Sequence, residues 1–284
     1  MAVLGALFLG NFALAFGPWL VRLADVGPSA SAMWRMALAA PVLFVIARYR
    51  RQPLTLQTRA LYLTMLLSGL FFAADLAAWH IGILKTKLAN ATLFANAASL
   101  FFPIWGFIAA RALPNRREGA AFGIAAAGAA LLLGRSADLS PENLFGDMLC
   151  LAAGIFYTGY LVVVARARQR LQSWTLLAWS TVATILPLLA IALLLGEKIM
   201  PTDWTPVLAL AIVSQLIGQG MMVYALGKVS PLVFGLALLT QPIVSATMGW
   251  ISFGEKLAFP DMVGAGLIGL ALVLVRQPDR SKDQ

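Results

Sequence analysis

Long apolar stretches follow one another along the chain, and polar residues collect in the short segments between them. A helix needs about 20 mostly apolar residues to cross a bilayer, and open strands would leave backbone groups unpaired in lipid. The pattern therefore predicts ten membrane-spanning helices, near residues 2–21, 29–47, 60–83, 88–110, 119–134, 146–165, 174–195, 205–226, 232–253 and 261–275. The expected fold class is an all-α membrane protein without a separate soluble domain.

The composition agrees with this interpretation and limits the chemistry. Of the 284 residues, 61% are hydrophobic and 12% are charged, about half the charged fraction of a soluble domain. Cys150 and His80 are the only cysteine and the only histidine. A disulfide framework and any metal site built from several such ligands are therefore excluded. We expect no catalytic residue, no metal and no cofactor.

Basic residues are distributed unevenly between the loops. A net charge of +9 is compatible with nucleic acid binding, but the lysines and arginines stand in short clusters between apolar stretches. The even-numbered loops and the C-terminal tail hold 14 of the 21, and the odd-numbered loops hold six. Because cytoplasmic loops are enriched in Lys and Arg, both termini are predicted to lie in the cytoplasm. The expected surroundings are a lipid bilayer, with no nucleic acid partner.

Two segments near the ends of the two halves resemble each other. Residues 123–135 read GIAAAGAALLLGR and residues 264–276 read GAGLIGLALVLVR, and six of the thirteen positions agree at an offset of 141. A second alignment, at an offset near 144, pairs Asp75 with Gln219 and His80 with Tyr224. The chain is therefore expected to contain an internal repeat.

An odd number of spans in each half decides how the two repeats are related. With five spans per half, the second half crosses the membrane in the opposite sense. We predict two inverted five-helix repeats, residues 1–140 and 141–284. Inverted repeats are typical of alternating-access carriers, whose substrate site lies near the bilayer midplane between the repeats.

Ionisable residues inside a span need a reason, because each costs about 2.5–3.5 kcal/mol on insertion scales. Asp75 is either a buried partner for Arg35 or for an amide, or a cation or proton site. His80 is either a hydrogen-bonded packing residue or, with an ordinary pKa near 6.5, a proton-exchange group. Trp79 adjoins both and belongs either to an interfacial belt or to a cavity. Arg35 is expected to have a structural or gating role.

Amides and aromatic rings complete the predicted site. A central cavity lined by the first, third, fourth, sixth, eighth and ninth spans is expected. Its predicted substrate-binding residues are Asn11, Asp75, Trp79, His80, Asn90, Asn96, Tyr157, Gln219, Tyr224 and Gln241. Two glycine pairs, Gly5 with Gly10 and Gly154 with Gly159, are expected to allow close helix packing.

This polar inventory favours a substrate with little net charge. A phosphorylated substrate would require several buried lysines or arginines, whereas a zwitterionic amino acid needs donors, acceptors and an apolar or aromatic pocket. Another small metabolite, or an organic cation held by Asp75 and tryptophan rings, is the alternative. An intramembrane enzyme is disfavoured because no catalytic constellation is found, and scattered amides without a ring of charge argue against a channel.

Several motifs resemble the drug/metabolite transporter superfamily with paired EamA-type domains. They are Leu88-Ala89-Asn90-Ala91-Thr92-Leu93 followed by Asn96, Pro28 followed by Trp34-Arg35, and Pro242 followed by Gly254-Glu255. Asp75 with Trp79-His80 is most similar to the YddG-like aromatic amino acid exporter branch. The resemblance implies a bacterial inner-membrane exporter of aromatic and other neutral amino acids, working by alternating access. The sequence leaves the oligomeric state and the energy coupling open.

Overall fold

The computed structural model describes residues 2–111, 113–139, 141–229, 231–238, 241–255 and 258–276. Within these ranges the chain is helical and contains no strand, apart from one isolated bridge between Leu226 and Val229. The predicted all-helical class is therefore confirmed. The side chain of Pro242 lies outside the described part of the chain. Residues 277–284, whose basic side chains contribute to the charge bias, also lie outside it.

The helices follow the predicted apolar stretches closely. They are α1 (Ala2–Leu14), α2 (Gly17–Leu23), α3 (Pro28–Tyr49), α4 (Arg59–Ile83), α5 (Leu88–Ala95), α6 (Ala98–Ala110), α7 (Arg116–Leu139), α8 (Pro141–Ala167), α9 (Ser173–Leu194), α10 (Thr205–Ala209), the π-helix π1 (Leu210–Gln219), α11 (Gly220–Ala225), α12 (Pro231–Leu238), α13 (Gln241–Phe253) and α14 (Phe259–Arg276). Short loops connect them.

In the part of the chain that is described, seven segments are long and apolar enough to cross a membrane. They are Val3–Leu23, Pro28–Tyr49, Arg59–Ile83, Leu88–Ala109, Pro141–Ala167, Ser173–Leu194 and Thr205–Ala225. The other three predicted spans fall on α7, on α12 with α13, and on α14. The apolar segments of α7 and α14 are short, and residues 239–240 between α12 and α13 lie outside the described ranges. A multi-pass membrane protein is confirmed, while the number of ten spans stays a prediction.

Two of these segments are broken near their middle. Helix α1 ends before Gly17-Pro18, where the proline lacks an N–H and starts a new helix. The carbonyl of Ala15, which the break leaves outside a helix, accepts a hydrogen bond from Ser245 Oγ at 2.9 Å. A second break separates α5 from α6 at Asn96. Polar side chains from elsewhere in the chain thus satisfy backbone groups that lipid could not.

Helices from the two halves pack against each other throughout the described residues. Helix α3 packs on α9, α4 on α8, α7 on α14, α1 on π1 and α11, and α5 and α6 on α13 and α12. Some contacts depend on a missing side chain, as predicted. A Cβ on Gly154 would lie 2.7 Å from the carbonyl oxygen of Ala95, and one on Gly10 would lie 2.9 Å from that of Gly218. The expectation is wrong for Gly5, which has open space around it.

One end of the bundle, here called the odd-loop face, is closed by polar contacts. It is formed by residues 22–27, 83–88, 142–147, 197–202 and 255. Arg22 bonds Glu255 Oε1 at 2.5 Å, and it also donates to the carbonyls of Ile83, at 3.1 Å, and of Thr86. The other oxygen of Glu255 accepts from the backbone N–H of Leu88 at 2.9 Å. Arg22 and Glu255 therefore tie three separate segments together.

Further contacts extend this closure. Thr86 Oγ1 donates to Asp147 Oδ1 at 2.6 Å, and Lys198 Nζ lies 2.8 Å from Asp25 Oδ2. The Lys198 ammonium and the backbone N–H of Thr202 hold the pKa of Asp25 well below its usual range. The carboxylate of Asp25 thus stays ionised and bonded at neutral pH.

Candidate functional site

A small cavity of about 50 Å³ lies in the middle of the bundle. Residues from both halves line it. Its polar and aromatic lining consists of Arg35, Phe72, Asp75, Trp79, Asn96, Tyr157, Gln219 and Gln241, and its aliphatic lining consists of Leu14, Leu76, Ala95 and Leu238. Helices α1, α3, α4, α5, α8, π1, α12 and α13 thus all contribute, and the second predicted span, α3, adds a residue that the sequence interpretation had not placed there.

Two opposite charges face this cavity. The side chains of Arg35 and Asp75 are buried, with 1% and 6% of their surface exposed. No ion pair or hydrogen bond joins the two side chains in the described part of the chain. Arg35 Nε and Nη1 are buried without a hydrogen-bond partner. A buried arginine that keeps free donors has unused capacity to bind an anionic group.

The helix breaks bring amides to the cavity wall. Asn96 stands at the end of α5, and its Nδ2 donates to the carbonyl of Leu238 at the end of α12, at 2.9 Å. Gln241 begins α13, and its Nε2 donates to Asn11 Oδ1 at 2.8 Å. Asn11 in turn donates to the carbonyl of Leu7 at 2.9 Å. These bonds hold the amide side chains of the cavity wall in position.

Aromatic rings form another wall. Phe72 stacks on Tyr160 with ring centroids 4.5 Å apart, and Tyr157 stacks on Tyr160 at 5.7 Å. Gln219 Nε2 donates to the hydroxyl of Tyr160 at 3.3 Å, and the hydroxyl of Tyr157 lies 3.5 Å from Gln219 Oε1. Such a wall offers a flat apolar face together with polar tips.

Trp79 completes the lining next to Asp75. Its ring packs against Gly17, where a Cβ would lie 3.1 Å from the ring edge, so the break between α1 and α2 makes room for the indole. The indole Nε1 is buried without a hydrogen-bond partner. Like Arg35, Trp79 therefore holds a donor that no protein group uses.

The structure brings most of the predicted site residues together. Those that line the cavity are Asp75, Trp79, Asn96, Tyr157, Gln219 and Gln241, and Asn11 lies directly behind Gln241. The remaining three do not line it. His80 Nδ1 lies 2.9 Å from Ser31 Oγ and 3.1 Å from the carbonyl of Pro28, near the odd-loop face. Asn90 bonds Asp147 at 3.3 Å at that same face, and Tyr224 lies under Lys228 at the opposite end.

Arg35 and Phe72 are the main residues that the sequence interpretation left out of the site. The sequence predicts a structural or gating role for Arg35, and the structure places its buried side chain in the wall of the cavity. Phe72, Asp75 and Trp79 are spaced three and four residues apart, so they share one face of α4. Once Asp75 is assigned to the site, this spacing predicts that Phe72 lies in the site as well.

Comparisons with known proteins show similarity to membrane transporters. The sequence profile of the EamA-like transporter family matches residues 144–277. A protein of Archaeoglobus fulgidus described as an uncharacterized transporter is 23% identical over 257 residues, or 88% of each chain. A protein solved by crystallography aligns over 100% of this chain and 98% of its own, with a TM-score of 0.72 and 17% identity, a likeness of fold alone. Over residues 144–277 the chain is thus similar to EamA-like transporters, and over most of its length it is similar to one uncharacterized transporter.

Proposed function

We propose that the protein is an alternating-access exporter of amino acids, aromatic and other neutral ones, which it binds as zwitterions in the central cavity. One observation carries the proposal. Arg35 and Asp75 face the same buried cavity with opposite charges and are not bonded to each other. A zwitterion bound between them would satisfy both.

Each part of such a substrate has a complementary wall. A carboxylate can accept from the free donors of Arg35, and an ammonium group can donate to Asp75. An aromatic or apolar side chain can lie against Phe72, Tyr157 and Trp79, and ring–ring contacts contribute about 0.5–1.5 kcal/mol beyond burial. The cavity needs no further charge, because the substrate is neutral overall.

The alternative, an organic cation, meets a specific obstacle. Asp75 and the rings would suit it, but Arg35 lies in the same cavity and would repel it. A substrate with only a negative charge would meet the opposite problem at Asp75. The pair of charges therefore favours a zwitterion over either singly charged ligand.

The helix pairing supports the inverted arrangement of two five-helix repeats. Under that arrangement α3, α7 and α5–α6 are the mates of α9, α14 and α12–α13, and each packs on its mate. Asp75 and its mate Gln219 both line the cavity, whereas His80 and Tyr224 lie toward opposite ends of the bundle. A pseudo-two-fold axis in the membrane plane places mates in this way.

Ligand binding to the purified protein tests the substrate class. We would measure the shift in thermal unfolding temperature with phenylalanine, with phenethylamine, which lacks the carboxylate, and with phenylpropionate, which lacks the ammonium. Phenylalanine is expected to stabilise the protein most, with about tenfold tighter binding than either analogue, since each loses one charge-assisted hydrogen bond.

The other outcomes are equally informative. Tighter binding of phenethylamine than of phenylalanine would favour the organic cation and overturn the zwitterion proposal. No shift with any neutral amino acid, aromatic or aliphatic, would also overturn it. Counterflow of labelled amino acid in proteoliposomes then distinguishes a carrier from a channel, because only a carrier exchanges substrate across the membrane in this way.

A further inference from the structure

A second pocket lies at the end of the bundle opposite the odd-loop face. This even-loop face is formed where residues 50–54, 166–175 and 224–228 meet. The pocket is open to solvent and has a volume of about 460 Å³, and three of its lining residues, Arg50, Arg168 and Lys228, are basic. No acidic side chain lines it within the described part of the chain. Three cations from three different loops therefore surround one space without a neutralising partner.

Among the three basic residues of the pocket, Arg168 has a side chain that is held in place by a hydrogen bond. Its Nη1 donates to the carbonyl of Leu171 at 2.7 Å, which holds the guanidinium in one orientation. Its Nε is buried without a hydrogen-bond partner, and burial lowers the pKa of Arg168. A positioned guanidinium with a free N–H is suited to phosphate, which accepts from two parallel N–H groups.

The rest of the pocket is held in place by aromatic rings and by one amide. Lys228 Nζ lies 3.5 Å from the centroid of the Tyr224 ring. Trp174 packs against Gly220, where a Cβ would lie 3.0 Å from the indole ring. Gln52 Oε1 accepts from the backbone N–H of Trp174 at 3.0 Å. The backbone around Trp174 and the side chain of Arg168 are thus held in place, whereas Arg50 and Lys228 are exposed and can adjust to a ligand.

We propose that this pocket binds a phosphate-bearing anion, with the phosphate between Arg168, Lys228 and Arg50. An anionic phospholipid headgroup and free phosphate share that chemistry, and the pocket lies at an end of the membrane-spanning helices, where headgroups are found. The site is separate from the central cavity, since the two share no lining residue. Its occupant is bound there and is not the transported substrate.

The test uses the purified full-length protein and three probes. They are short-chain phosphatidylglycerol, short-chain phosphatidylcholine as the zwitterionic control, and inorganic phosphate. Saturable thermal stabilisation by phosphatidylglycerol but not by phosphatidylcholine identifies a headgroup site. Stabilisation by inorganic phosphate with equal affinity identifies free phosphate as a sufficient ligand. Either affinity is expected to fall as NaCl is raised, because the contact is ionic.

Variants locate the site. Arg168→Gln and Lys228→Gln are each expected to weaken binding by about tenfold, since each removes a charge-assisted contact. Arg170→Gln, which removes the same charge from an exposed position outside the pocket, is the matched control and should leave binding unchanged. Lys228 is exposed, so that variant stays informative if Arg168→Gln fails to fold.

Two results would overturn the proposal. One is an equal loss of affinity in Arg170→Gln and in the two pocket variants, which would indicate a diffuse surface charge effect. The other is stabilisation by phosphatidylcholine as strong as that by phosphatidylglycerol. The phenylalanine shift of the central cavity is expected to persist in all three variants, so failure of this site and failure of the transport proposal can be told apart.

Discussion

At the scale of single residues, the free energy needed to place Asp75 and Arg35 inside the membrane is informative. Each ionisable side chain inside a span costs several kcal/mol to insert, and a direct ion pair would recover part of that cost. No such pair joins these two residues in the described part of the chain. The two charges attract each other across the cavity without a direct bond, so both groups stay available to a ligand.

Charge at Asp75 can be tested without changing the shape of its side chain. Asp75→Asn is expected to reduce amino acid binding by about tenfold or more, because a charge-assisted contact contributes about 1.5–3 kcal/mol. The variant is expected to be less stable, since it leaves the buried charge of Arg35 without an opposite charge nearby. Binding is measured by titration and folding by thermal unfolding. His80→Asn is the comparison, because His80 lies outside the cavity and asparagine can keep the contacts made at Nδ1. This variant should bind amino acids nearly normally. An equal loss of binding in both variants would contradict the assignment of Asp75 to the substrate site.

Residue chemistry could be predicted from the sequence better than residue direction. Polar residues inside an apolar span must contact protein or a cavity, and Asp75, Asn96 and Gln241, which were chosen on that ground, line the central cavity. In helices that are apolar on every side, no contrast between an apolar and a polar face indicates which side points inward. Asn90 was therefore not distinguishable from Asn96 in advance, although it bonds Asp147 at the odd-loop face.

At the scale of secondary-structure elements, interrupted helices form the site. Asn96 follows the last residue of α5, where the backbone leaves the helix, and Gln241 is the first residue of α13. Their partners are a carbonyl of α12 and the side chain of Asn11 on α1. The positions of these amides therefore depend on how closely α5 can approach the helices around it.

Replacing two glycines by alanine is expected to have opposite effects on stability. Gly154 lies where α8 approaches α5 closely, whereas Gly5 lies on α1 with open space around it. Gly154→Ala is expected to destabilise the protein by about 1–3 kcal/mol, since its Cβ would lie 2.7 Å from the carbonyl of Ala95, one residue before Asn96. Gly5→Ala has open space and should gain the helix-propensity difference of about 0.5–1 kcal/mol. Thermal unfolding in one detergent measures both. Equal effects of the two substitutions would argue against tight α8–α5 packing.

The helix breaks and the π-helix differ in how well they can be predicted from the sequence. Gly17-Pro18 marks the start of α2, because proline cannot donate to the preceding turn. No proline or glycine pair marks the break at Asn96, which follows an ordinary helical run. Residues 210–219 read as a normal apolar helix, and their π geometry follows from packing against α1 and α3. Tertiary contacts therefore decided what local propensity could not.

At the scale of the whole molecule, the two ends differ in character. The odd-loop face is closed by ion pairs that cross between segments, with Arg22 and Glu255 only 16% and 13% exposed. The two faces also differ in the charge of their open pockets: the pocket at the even-loop face is lined by basic residues, whereas the pocket at the odd-loop face is lined by both basic and acidic residues. An alternating-access cycle would have to break the contacts of Arg22 before the cavity could open to the odd-loop side.

Weakening that closure is expected to shift the conformational equilibrium. Glu255→Gln keeps a hydrogen-bond acceptor but removes the charge that holds Arg22, and a loss of about 1.4 kcal/mol changes a population tenfold. A cysteine placed at Tyr157 in a Cys150→Ala background should then react faster with an impermeant reagent added from the odd-loop side. Glu142→Gln, in the exposed pair with Lys85, is the control. Unchanged reactivity in Glu255→Gln would show that Arg22 does not close this face.

Orientation in the membrane follows from charge and can be checked separately. The bias of Lys and Arg predicts that the even-loop face is cytoplasmic. Reporter fusions after Arg135 and after Arg276 should report opposite sides of the membrane, because five spans separate these points in the inverted-repeat arrangement. Signals on the same side would remove that arrangement while leaving the cavity chemistry untouched.

The π-helix also has a consequence for insertions and deletions. Each of its turns takes up one residue more than an α-helical turn, so the segment absorbs inserted residues without turning the helices on either side. A deletion on its exposed side, for example of Ile212, would replace one π turn by an α-helical turn and leave α11 pointing in the same direction. Gln219 would keep its place beside Tyr157 and Tyr160, so a homologue that is one residue shorter here is expected to retain this part of the cavity wall.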